Sequence, residues 1–175
     1  MQSNNRTRDD LEIDVQEWLP SGCNVGVLLE RYFSTIHRMV PTICQPEIEN
    51  AFANRLHETS ERFRLLILSV LSVAEGMETS TIQSRSGHPS VTALRLLTRN
   101  NGMPVDSSSL GFEHVFANIA AFMTYSMRSD NRRAWFFLQQ AITFSQLDGM
   151  DEIDSYKPEV DLRTATLRLK VYYTL

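Results

Sequence analysis

The chain is poor in cysteine, in glycine and in long apolar stretches, and each shortage excludes a class of protein. Its two cysteines, Cys23 and Cys44, are too few and too far apart for a disulfide framework or a paired-cysteine metal site. Its seven glycines are scattered, so no glycine-rich phosphate loop is present. No apolar run approaches the roughly 20 residues that span a bilayer, and the polar start is unlike a signal peptide. These features predict a reduced intracellular compartment and no membrane partner.

A surplus of basic residues is also missing. The formal net charge is -4 over 175 residues, whereas a protein that binds the phosphates of a nucleic acid needs a basic surface. The sequence therefore predicts no direct nucleic-acid binding by this chain. Hydrophobic residues make up 42% and charged residues 22%, which is typical of a globular domain with its own core.

Clusters of catalytic or metal-binding residues are absent from the sequence pattern. The four histidines, His37, His57, His88 and His114, include no pair at the close helical spacing of a zinc site. No nucleophile elbow and no cysteine–histidine signature appears. We therefore expect a protein that is not an enzyme and that holds no cofactor or metal of its own.

What the sequence does contain is helical periodicity. Apolar residues recur at three- and four-residue steps in segments that are bounded by capping residues, prolines and glycines. Helices are predicted over residues 24–39, 59–76, 89–102, 107–129, 130–149 and 162–175, whereas residues 41–55 predict a loop and a short helical turn, and residues 79–90 a mobile loop. The predicted fold is all-α, with about six helices in successive antiparallel hairpins that form an elongated bundle.

The segment from Asp130 to Gly149 gives the strongest helix prediction. Asp130 can cap the first turn, and Gly149 can adopt the left-handed conformation that ends a helix. Between them, apolar and small residues lie on adjoining stripes, which predicts an inner helix that is buried on more than one side. We expect Trp135 to anchor the core. The residues assigned to this motif are Ala134, Trp135, Leu138, Ala141, Ile142, Gln146 and Gly149.

Two charged segments have alternative interpretations. Arg128, Arg132 and Arg133 form the compact basic cluster of the sequence. This cluster is either a solvated helix corner or a contact for an acidic partner or for a DNA-binding half that is missing here. Residues 1–22 are interpreted as a polar and acidic arm. Its segment from residue 9 to residue 18 interleaves carboxylates with apolar residues, which fits either a linker that docks its tryptophan or an acidic-hydrophobic interaction segment.

The 130–149 segment resembles a helix of the fungal-specific regulatory domain, or middle homology region, of fungal zinc-cluster transcription factors. The positions that carry this resemblance are Arg132, Ala134, Trp135, Ala141, Ile142, Gln146 and Gly149. Asp148 departs from the family, which more often has a leucine or another small or apolar residue there.

Three further segments resemble the same family in the same order. The early family segment is matched by Leu28, Leu29, Tyr32, Phe33, His37 and Pro41. Residues 64–76 resemble the next helix, in which small residues sit among leucines. In residues 167–175, Tyr172 and Tyr173 take the places of two family aromatics. The similarity covers residues 25–175, and the order and spacing of the motifs carry it, since each motif alone is degenerate.

The resemblance implies a regulatory segment that acts in the nucleus on RNA polymerase II transcription. The family contacts DNA through a separate six-cysteine zinc cluster, which is absent here, so zinc is implied only for that separate module. Residues 23–175 would be the first part of the regulatory domain, truncated at its C-terminal end. Its partners would be proteins or the remainder of the same regulator, and a small-molecule effector could bind among the apolar helices.

Two other functions stay open on the residues alone. A stand-alone helical-hairpin scaffold would bind a partner peptide or helix and would have no effect on transcription. A small α-helical enzyme would need converging polar side chains with perturbed pKa values, and the sequence offers no such set.

Overall fold

The structure is a computed structural model that describes residues 24–77, 111–152, 156 and 161–175. The arm at residues 1–22 and the loop and helix expected over residues 79–102 lie outside this described part. Every regular element within the described part is a helix, so the all-α fold class is confirmed.

Eight helical segments are described: α1 Val25–Ser34, α2 Ile36–Met39, α3 Gln45–Ala53, α4 Leu56–Thr59, α5 Glu61–Gly76, α6 Phe112–Met127, α7 Asn131–Leu147 and α8 Leu162–Tyr172. The helix α5 packs between α1 and α6, and α6 packs in turn against α7 and α8. The main core therefore lies along α5.

The first helix is broken where the sequence predicted a single helix over residues 24–39. At Thr35 the backbone leaves regular helical geometry, with φ -119° and ψ -74°. The Thr35 hydroxyl bonds back to the carbonyl of Arg31, a competing interaction that bends helices. The expectation of only a short turn within residues 41–55 is also wrong, because α3 spans nine residues and carries Pro46 in its first turn, where proline is favoured.

The central position predicted for α5 is confirmed. Its first turn is capped by the hydroxyl of Ser60, which accepts the backbone N–H of Phe63 at 3.2 Å. Every residue from Leu65 to Gly76 is buried. Two serines lie in this buried stretch, and the hydroxyl of each donates to a backbone carbonyl of the same helix, so neither is left unsatisfied.

The helices α5 and α6 run in the same direction. A Cβ atom added to Gly76, at the end of α5, would lie 3.8 Å from the Cα atom of Thr124 near the end of α6. At the other end, a Cβ atom on Gly111 would lie 3.3 Å from the guanidinium of Arg62. The Thr35 hydroxyl, after α1, lies 3.4 Å from the sulfur of Met77, after α5. The like ends of α5 and α6 are therefore neighbours, and the end of α1 lies beside the end of α5.

The last helix, α8, is fixed to two different parts of the chain. Asp161 caps it as predicted, since its carboxylate accepts the backbone N–H of Thr164 at 3.1 Å. Val171 is fully buried against α6 in a cluster with Val115 and Ile119. Arg163 pairs with Glu47 of α3 at 2.5 Å. The helix α8 thus connects the α6–α7 pair with α3.

Candidate functional site

A tight corner joins α6 to α7 and sets their antiparallel packing, as the sequence predicted. The carbonyl of Tyr125 accepts hydrogen bonds from the backbone N–H groups of Arg128 and Asp130. Ser129, between them, has a left-handed φ of 59°, which few residues other than glycine adopt. The Asp130 carboxylate then accepts the N–H of Arg133 at 3.2 Å and starts α7.

One stripe of α7 packs on α6. The buried residues of this stripe are Ala134, Phe137, Ala141 and Ser145. The two alanines let the helices approach closely, and the ring of Phe137 stacks on that of Tyr125 with centroids 5.4 Å apart and planes at 8°. The hairpin therefore includes a stacked aromatic pair framed by small residues.

The expectation that Trp135 anchors the core is wrong. Its side chain is 62% exposed, and that of its neighbour Phe136 is 47% exposed. Because a helix turns by about 100° per residue, the two residues before Phe137 cannot share its buried direction. Within the described residues α7 packs chiefly on α6, so it has one buried stripe and is not an inner helix.

The other motif residues are divided between core and surface. Leu138 and Ile142 are half-buried, while Gln146 is exposed. Gly149 has the predicted left-handed conformation, with φ 66°. In α1, Tyr32 and Phe33 are buried against α5 as core residues, and burial raises the pKa of Tyr32 to about 12.

We define the α7 outer face as Arg132, Trp135 and Phe136. Arg132 lies three and four residues before the two aromatics, a spacing that makes all three neighbours on a helix surface. All three are exposed. The α7 outer face thus combines aromatic surface with a cation, a composition typical of residues that dominate protein–protein contacts.

The predicted basic cluster does not act as one unit. Arg133 lies 3.5 Å from the Asp130 carboxylate and 5.6 Å from the centroid of the Tyr125 ring, so it is held at the corner. Arg128 directly follows α6 as its C-cap and is half-buried. Arg132 makes no ion pair with any carboxylate of the described ranges. The solvated-corner interpretation therefore fits Arg133, while Arg132 is the arginine that faces outwards beside the aromatics.

A second surface feature is an open groove of about 510 Å³ between the chain that follows α2 and the last turns of α8. Its lining residues are Met39, Val40, Pro41, Thr42, Thr166, Leu169, Lys170, Tyr173 and Thr174. Met39 and Tyr173 are 72% and 82% exposed, so the groove is shallow. Sequence reasoning did not identify it, because two distant segments meet there and no local pattern marks that approach.

An ion pair connects the end of α7 to α8. The carboxylate of Asp148 lies 3.2 Å from the guanidinium of Arg168, which also donates to the Asp148 carbonyl. Burial raises the pKa of Asp148, and the charge of Arg168 opposes that shift. Nearby, burial lowers the pKa of His114, opposed by Glu113. The ion pair is partly buried and positions two helices.

Acidification is expected to destabilise the protein through His57, whose ring stacks on that of Phe52 with centroids 4.5 Å apart. Burial lowers the pKa of His57; Glu58 opposes this shift, while Arg55 and Arg64 add to it. The unfolded chain, with a histidine pKa of about 6.5, takes up the proton first. Stability should therefore fall as the pH drops below about 6.5 towards the lowered folded pKa.

The variant H57F keeps an aromatic ring for the stacking but cannot titrate, so it should lose less stability on acidification. We would compare urea unfolding of both proteins at about pH 7.5 and about pH 5.5, which bracket the histidine range. Burial also lowers the pKa values of His37 and His114, and both remain in each protein, so the difference isolates His57. An equal loss of stability in the two proteins would contradict the prediction.

The described ranges hold no group of three or more histidine, cysteine, aspartate or glutamate side chains placed to bind a metal ion. In the same ranges, no helix has the length and apolar character that crossing a membrane requires.

Fold and surface together define an all-α domain with an exposed aromatic and cationic helix face. Comparison with known proteins adds no relative: no protein-family description, no curated protein and no solved structure matches this chain.

Proposed function

We propose that this chain is a non-catalytic regulatory and interaction segment of a fungal transcription regulator that acts in the nucleus on RNA polymerase II transcription. DNA contact would be made by a zinc cluster outside this chain. Its partners would be other proteins or the remainder of the same regulator, with no direct contact to nucleic acid.

The observation that carries the proposal is the order and spacing of the family-like motifs along the chain. They fall in sequence on α1 and α2, on α5, on α7 and on α8, so the order of the motifs follows the order of the helices. The positions of the α7 motif residues support a role in packing for Ala134 and Ala141, both buried. It also supports a role in contact for Trp135, which is exposed.

The geometry favours recognition of a partner over chemistry. Exposed aromatic residues beside an arginine are the type of surface that anchors protein contacts. The groove beside α8 offers a second place, where an effector could meet apolar walls and the Lys170 ammonium.

The test joins the full chain to an unrelated DNA-binding module in a fungal cell and measures transcription of a reporter gene placed beside the module's site. We expect the chain to change reporter output and the double variant W135A/F136A to reduce that change. The variant V27A removes exposed apolar surface from α1, where Val27 is 46% exposed, and serves as the matched control.

Reporter output that is the same with and without the chain would contradict the proposal. Sequencing of the transcript upstream provides an independent check, since the proposal expects a six-cysteine cluster in the same reading frame. A complete reading frame without that cluster would remove the link to DNA.

A second candidate is a stand-alone helical scaffold that binds a partner helix or peptide, and the exposure of the α7 outer face favours it. This candidate uses the same contact surface as the first proposal, but it predicts a different result in the reporter experiment. A scaffold would bind a partner saturably through Trp135 and Phe136 while leaving the reporter unchanged.

A further inference from the structure

The α7 outer face has apolar surface and a charge that the described residues leave unmatched. Trp135 and Phe136 are 62% and 47% exposed, although aromatic side chains of this size are usually covered in a folded domain. Arg132 lies beside both and pairs with no carboxylate of the described ranges. A complementary occupant must bring apolar side chains and at least one carboxylate close together.

The same chain contains a segment with that chemistry. Residues 9–18 read DDLEIDVQEW, with five carboxylates and no lysine or arginine. Apolar residues alternate with polar ones from Leu11 to Val15, so an extended backbone would place the apolar side chains on one side and carboxylates on the other. Its charge and pattern match the α7 outer face.

The chain is long enough for this contact. The described residues begin at Asn24, so Asp9 precedes them by fifteen residues, which can span about 50 Å when extended. The 16-residue helix α6, beside which α7 lies, is only about 24 Å long. The segment can therefore reach helices well beyond its point of attachment.

We propose that residues 9–18 dock on the α7 outer face of the same chain, with their apolar side chains on Trp135 and Phe136 and their carboxylates around Arg132. In the docked state the segment competes with any external partner for this face. An external partner of the same acidic and apolar chemistry would have to displace it. The inference is independent of the proposed function, since it concerns a contact within the chain.

The two tryptophans of the chain, Trp18 and Trp135, lie on the two sides of the proposed contact. In the full-length variant W18F, Trp135 becomes the sole tryptophan, and acrylamide quenching reports its exposure. Neutralising the segment with D10N/E12Q/D14N should increase quenching and shift the emission of Trp135 to longer wavelength. Loss of each exposed ion pair should lower the ratio of docked to undocked chain about two- to fivefold.

Two charge variants complete the test. R132Q should increase quenching in the W18F background but have no further effect once the segment is neutralised, because the two changes remove the same contact. K170Q makes the same change of charge in the groove beside α8 and should leave Trp135 unaffected. All substituted side chains are exposed or in the arm, and circular dichroism would verify that each variant is folded.

The proposal would be overturned by any of three results. Quenching of Trp135 could be unchanged when the segment is neutralised. K170Q could act as strongly as R132Q, which would indicate a general effect of net charge. The protection could increase with protein concentration, which would assign the contact to a second copy of the chain.

Discussion

Replacing Phe137 with alanine is expected to lower the free energy of unfolding by about 3–5 kcal/mol. The ring is 2% exposed and stacks on Tyr125 at the interface of α6 and α7, so its removal leaves a cavity and ends the stacking. The flanking Ala134 and Ala141 are too small to fill that space. Urea unfolding followed by far-ultraviolet circular dichroism measures the change.

The neighbouring residue provides the control. F136A makes the same chemical change one position earlier, but Phe136 is 47% exposed, so we expect a cost of only about 1 kcal/mol or less. Exposed Trp135 should behave in the same way. Equal costs for F136A and F137A would show that the stripe of α7 facing α6 has been wrongly assigned.

Shortening Leu71 to alanine is expected to have the second large effect, about 2–5 kcal/mol. Leu71 is fully buried in the middle of α5, where α1 and α6 pack on either side. Because α5 packs against both α1 and α6, the space left by the side chain cannot close without disturbing two helix contacts. Thermal and urea unfolding would both register the loss.

The matched control is L56A, which deletes the same atoms from a leucine that is 41% exposed in the short helix α4. Its cost should be about 1 kcal/mol or less. If L71A were as mild as L56A, the core would not be centred on α5.

The features that depend on local chemistry were predictable from the sequence. Asp130 and Asp161 cap helices because their carboxylates reach N–H groups only three residues ahead. Gly149 takes a left-handed φ because glycine has no Cβ atom to clash in that conformation. The burial of α5 was also predictable, since apolar residues cover its whole circumference and no single neighbour could cover them.

The features that depend on distant segments were not predictable. Whether Trp135 is covered depends on which helices lie beside α7, and its sequence context is equally apolar in either case. The groove requires Pro41 and Leu169 to approach each other, which periodicity within one helix does not reveal. At Thr35 the backbone can either continue the helix or leave helical geometry, and the residues around it decide between the two.

The common direction of α5 and α6 has an electrostatic consequence. The N-terminal end of each helix carries about half a positive elementary charge, and parallel packing places these two ends side by side, where they repel each other. Each helix has one carboxylate in its first turn, Glu61 in α5 and Glu113 in α6. The two acidic residues therefore offset a repulsion that the direction of the chain imposes on the fold.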